Sequence, residues 1–93
     1  MRTRDRVGQL LRALRRSATD AGCTVDVSHQ ATTPWASATF VGAQYQVSIE
    51  GDGSAWLAGL PAAEFALHGC FVASCEVENT IGGAVLTMLI LEE

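Results

Sequence analysis

Apolar residues recur with a helical period at the start of the chain and with a strand period through the rest. Between residues 3 and 21, Val7, Leu10, Leu11, Leu14, Ala18 and Ala21 fall on one arc of a helix wheel. Arg2, Arg6, Arg12 and Arg16 read onto the opposite side with Gln9 and Asp20, while Arg4 and Arg15 flank the stripe. Long Arg stems at such flanks can cover the edge of a core. Thr3 stands where an N-cap belongs and Gly22 where a terminating glycine belongs. The pattern predicts an amphipathic helix over residues 3–21.

After Gly22 the period drops to two. "CTVDVSHQ" puts Val25, Val27 and His29 on one face and Asp26, Ser28 and Gln30 on the other. Pro34 cannot donate to a ladder, so "ATTP" is expected to break this strand. "WASATFVGAQYQVSIE" reads as a hairpin turning at Gly42-Ala43, with Ala36, Ala38, Phe40, Tyr45, Val47 and Ile49 inward. "GDGS" marks a second turn, leading to a short strand at residues 55–58. Pro61 and Glu64 suit a single helical turn near residues 61–66. In "CFVASCEVEN" the alternation places Phe71, Ala73, Cys75 and Val77 inward and Val72, Ser74, Glu76 and Glu78 outward. The last segment, "AVLTMLILEE", is apolar on both faces: it is either a central strand or one whose outer face meets a partner.

The expected fold is α+β. An N-terminal amphipathic helix packs on one face of a four- to five-stranded antiparallel sheet, with the one-turn helix near 61–66 as a crossover. Ninety-three residues fit one domain, 1–93. The opposite sheet face is expected to be polar and acidic, through Asp26, Glu50, Glu76 and Glu78.

Charge sharpens this picture. The net charge is −4, but it is divided: six Arg against Asp5 give residues 1–16 a charge of +5, and residues 17–93 carry nine acids with no Arg or Lys, −9. An acidic body repels nucleic acid and anionic lipid and attracts basic surfaces. Within the helix, Arg2–Arg6 and Arg12–Arg16 are like-charge pairs one turn apart, each costing roughly 0.2–0.5 kcal/mol. Either these Arg form a solvated face that balances the acidic body, or they dock on phosphate or on an acidic protein.

The chemistry-bearing residues are sparse. Cys23, Cys70 and Cys75 are an odd number of thiols without a CxxC pair, and fit a reducing, cytoplasmic setting. Arg12 and Arg15 interrupt any secretory apolar core, and "AVLTMLIL" is far short of a bilayer span. Cys23, His29 and His68 complete no zinc spacing, so neither metal nor cofactor is expected. Cys70 and Cys75, five apart, are expected on opposite strand faces, with Cys23 and Cys75 as buried small hydrophobes. Glu76 and Glu78 stand about 7 Å apart on one strand face, but an open face gives no pocket to tune them for acid–base work. "GDGS" lacks the Lys of a phosphate loop. Trp35 and Trp56 are read as buried anchors.

These features favour a non-enzymatic acidic protein that acts by protein–protein interaction. It would be an inhibitor or antagonist of a nucleic-acid-binding or defence complex, of the type phages and mobile elements encode. The candidate contact residues are Arg2, Arg6, Arg12, Arg16, Asp26, Glu50, Glu76 and Glu78. A homodimer through the C-terminal strand is a linked expectation. Two alternatives belong to other classes: a nucleic-acid binder using the Arg face, and a small-ligand carrier or enzyme with an unrecognised pocket.

Overall fold

A computed structural model of the chain describes residues 3–60, 67 and 69–93, with side chains from Arg6 onward. The helical stripe forms α1, Thr3–Asp20, and buries Leu10, Leu14 and Ala18. Its end is set by Gly22, whose φ of 79° lies in the left-handed region that glycine adopts without strain. The Cys23 N–H donates to the Ala18 carbonyl and the Gly22 N–H to that of Thr19, so the last turn closes on itself.

Four strands follow: β1, Val25–Ala36; β2, Val41–Gly51; β3, Cys70–Thr80; and β4, Gly83–Glu92. A short helix, α2, Ser54–Gly59, leaves β2. The strands form one antiparallel sheet in the order β1-β2-β4-β3. The fold is therefore the expected α+β arrangement, an N-terminal helix on a four-stranded antiparallel sheet, with a short helix among the described residues. Tyr45, Val47 and Ile49 of β2 and Ala84, Leu86, Met88 and Ile90 of β4 face α1 and form the core with Trp56, Leu57 and Leu60. β4 is the central strand of the expected pair of options. Both its edges are hydrogen-bonded, so any self-association through it has to use its outer face.

Several local expectations are corrected. Residues 54–59 are helix, not strand: Trp56, Leu57 and Leu60 are buried and Ala55, Ala58 and Gly59 exposed, a helical spacing, and the Leu57 N–H closes the first turn on the Gly53 carbonyl. The helical turn expected near 61–66 lies outside the described residues, as does His68. Pro34 does not end β1, because β1 is an edge strand and has a side without a ladder partner. The first hairpin turns at residues 37–40, not at Gly42-Ala43. The Ser37 hydroxyl accepts from the Phe40 N–H at 3.1 Å, and the Ser37 N–H donates to the Phe40 carbonyl at 2.8 Å.

Two bulges change the faces. One between His29 and Ala31 shifts the phase of β1, so Val25, Val27 and His29 lie on the inner face but Thr33 and Trp35 on the outer. One between Val72 and Ser74 does the same in β3: Val72, Cys75 and Val77 face the core, while Phe71 turns outward. It also puts Cys70 and Cys75 on the same face, against expectation. Cys70 is buried, and Cys23 and Cys75 are only half-buried.

Candidate functional site

With α1 on the inner face, the outer face of the sheet is open, and the register fixes what stands on it. At one end Trp35, Gly42, Leu91 and Phe71 form a row across all four strands. Trp35 and Phe71 are exposed there, and Phe40, in the turn before β2, is exposed as well. The Phe40 ring meets the Phe71 ring edge-on, with centroids 6.0 Å apart and planes at 81°. Gly42 lets the strands close here, since a Cβ on it would run into the Ile90 carbonyl oxygen. Down the centre, Val85, Thr87 and Leu89 of β4 are half-buried and Leu91 is buried.

Carboxylates occupy the other end. Glu76 stands beside Thr87, Glu78 beside Val85, and Asp26 directly opposite Glu50, all four exposed. Successive outer positions along a strand are about 7 Å apart. Like charges placed directly across a ladder oppose pairing, so Asp26–Glu50 is a local cost of roughly 0.2–1 kcal/mol. The structure thus brings all four predicted acids to one face, and among the described residues no Arg shares it.

The predicted Arg group is divided. Arg12, Arg15 and Arg16 are exposed on α1, which covers the face of the sheet opposite the carboxylates. Arg6 does not join them. It belongs to the row 6-10-14-18 along the helix and is only 6% exposed, so its expected place on the outward side is wrong. Its Nη1 donates to the Cys70 sulfur at 2.8 Å and to Gln9 Oε1 at 3.2 Å. Arg2 lies outside the described residues. Arg15 Nη2 donates to the Val27 carbonyl at 3.0 Å, tying α1 to β1.

Burial pushes the Cys70 thiol above its ordinary range, with the Arg6 guanidinium opposing. Burial raises the Tyr45 phenol in the same way, again against Arg6, and lifts Cys75, whose neighbour Glu76 adds to the shift. These thiols are held neutral, the opposite of what a nucleophile needs. His29 Nε2 lies 2.6 Å from Thr32 Oγ1 in an exposed position. Two open grooves exist, one of about 490 Å³ along Gly51, Asp52, Ser54, Asn79 and Thr80, the other of about 410 Å³ along Arg15, Thr19, Cys23 and Thr24. Among the described residues no three His, Cys, Asp or Glu side chains come together as metal ligands, and no helix is long and apolar enough to cross a membrane.

Sequence reasoning located the acids but missed the aromatic end. Trp35 was read as a buried anchor, and Phe40 and Phe71 were placed inward. Only Trp56 is buried, its Nε1 donating to Ser17 Oγ at 2.9 Å. The one available signal was the apolar outer column of β4. Comparison with family models, with curated proteins and with solved structures gives no match.

Proposed function

We propose that this protein acts without catalysis, by protein–protein contact through the outer face of its sheet. The observation that carries this reading is the composition of that face: Trp35, Phe40, Phe71 and Leu91 at one end, Asp26, Glu50, Glu76 and Glu78 at the other, and no cation among the described residues on it. Exposed aromatics supply the anchors that interfaces use, and carboxylates of one sign select a basic partner and speed its approach. Such a face suits an inhibitor that competes with nucleic acid for the basic surface of a nucleic-acid-binding or defence protein.

The rival reading, nucleic acid on the Arg face of α1, is weakened by the burial of Arg6. Three exposed Arg on the described part of the helix give a salt slope of only about three phosphates.

The test is photo-crosslinking in cells that naturally make the protein, with a photoreactive residue in place of Phe71 or, separately, of Arg16. A protein adduct from position 71 that disappears in Glu76→Lys/Glu78→Lys supports the reading. Adducts from position 16 alone, or recovery of nucleic acid, refute it.

A further inference from the structure

The outer face has a shape as well as a charge, and the shape narrows the partner. Resting on the reading above, we propose that the partner presents a basic amphipathic helix, laid along β4 over the outer face of the sheet.

The layer logic comes first. α1 covers one face of the sheet, and the other carries an apolar column, the half-buried Val85 and Leu89 and the buried Leu91, broken by Thr87. That column lies on an interior strand, with β2 on one side and β3 on the other. From Val85 to Leu91 it runs about 20 Å. A helix of about 13 residues has that length, and its width of about 10 Å covers two to three strands. A second helical layer is the ordinary way for a sheet to bury such a face.

Polarity fixes the sequence character of the helix. Phe71, Ser74, Glu76 and Glu78 follow one another on the outer side of β3. An anchor beside Phe71 is therefore about 14 Å from Glu76 and about 20 Å from Glu78. On a helix the positions about 11 and 14 residues beyond the anchor return to its side, about 16 and 21 Å along the axis, where long basic side chains reach Glu76 and Glu78. The partner is an apolar or aromatic anchor followed, about three to four turns on, by Arg or Lys.

Two other occupants fit less well. A partner strand would need a free edge, but β1 carries Pro34 and a bulge, and β3 carries a bulge with Glu76 and Glu78 outward. These are devices that blunt edges. A second copy offers Arg12 and Arg16 on α1, yet the apolar stripe of that helix is already buried in its own core. Packing two outer faces together would bring carboxylates towards carboxylates.

The experiment uses the full chain and three synthetic peptides of about 16 residues. The first is a helix-forming probe with Trp and Leu at one end and Arg at helical spacing beyond it. The second is the same peptide with a central Pro, and the third has Glu in place of Arg. Binding is read by fluorescence anisotropy and mapped by amide chemical-shift changes. The first probe is expected to gain helicity on binding and to shift residues of β4 and the outer positions of β3. It should bind about ten-fold or more tighter than either control. Phe71→Ser and Glu76→Lys/Glu78→Lys, both at exposed positions, should each remove most of that difference. Equal binding of the Pro peptide, or shifts confined to the edge strands, overturns the helix. So does a peptide-free protein that sediments as a dimer with its outer-face amides protected. If crosslinking from position 71 still captures a protein in any of these cases, the helix inference alone has failed. If it captures none, the docking reading has failed with it.

Discussion

The Arg6 guanidinium donates to the Cys70 sulfur at 2.8 Å, joining residues 64 apart in the chain and tying the first turns of α1 to the start of β3. Both side chains are buried. Arg6→Ala removes this bond, the bond to Gln9 and the packing of the Arg stem, and should cost about 2 kcal/mol in urea unfolding. Cys70→Ala should cost about 1 kcal/mol. Because the two share one contact, the double variant should lose less than the sum.

Alkaline pH should loosen the fold in a defined order. Cys70, Cys75 and Tyr45 are all held neutral by burial, so the folded chain keeps protons that the unfolded chain releases. Their contribution is complete below the ordinary thiol range and is lost as pH rises through it, then through the phenol range. Thermal melts across alkaline pH should show that decline, and Cys70→Ala with Tyr45→Phe should flatten it. Alkylation of Cys70 at neutral pH should wait on unfolding.

Gly42 and Gly83 admit no side chain. A Cβ on Gly42 would meet the Ile90 carbonyl oxygen, and one on Gly83 that of Ile49. Both obstacles are backbone and cannot swing aside. Gly42→Ala and Gly83→Ala should each destabilise by about 2–3 kcal/mol, measured by chemical unfolding. Gly59→Ala, with open space around the added methyl, should not.

Relieving the Asp26–Glu50 pair should raise stability. Glu50→Gln removes a like-charge opposition and should gain roughly 0.2–1 kcal/mol, with the gain shrinking at high salt. If the outer face docks a basic partner, the same variant should bind it more weakly.

The two Trp report different events. Ser17→Ala leaves the buried Trp56 indole N–H without its acceptor and should cost about 1 kcal/mol. In Trp56→Phe the remaining emission comes from exposed Trp35 and should be readily quenched by acrylamide. Partner binding at the outer face should protect it.

The fold was legible where a periodicity ran uninterrupted. The α1 stripe, the alternation of Tyr45, Val47 and Ile49, and the two-faced apolar pattern of β4 led to the right layers. What was lost turned on single residues. Gln30 and Ala73 sit in bulges that invert every side chain beyond them, and nothing in their identity announces a bulge. Hence Phe71 stands on the outer face where plain alternation points it inward, and Trp35 is exposed where its size alone suggests a buried anchor. Arg6 was misplaced for a different reason: its charge was allowed to outweigh its position one turn before Leu10. The acids were read correctly because Glu76 and Glu78 follow the bulge in β3, and Asp26 precedes the one in β1.

The strand order carries a consequence for how the chain reaches its native state. β2 and β3 are consecutive strands, yet β4 lies between them. Before β4 exists, the first hairpin and β3 have no shared ladder, and Leu10 and Leu14 lack the Ala84, Leu86, Met88 and Ile90 part of their core. Closure is thus deferred to the insertion of one late strand into a gap, with pairing to both sides at once. Such a step should be cooperative and, with its long-range pairings, slow relative to helix formation.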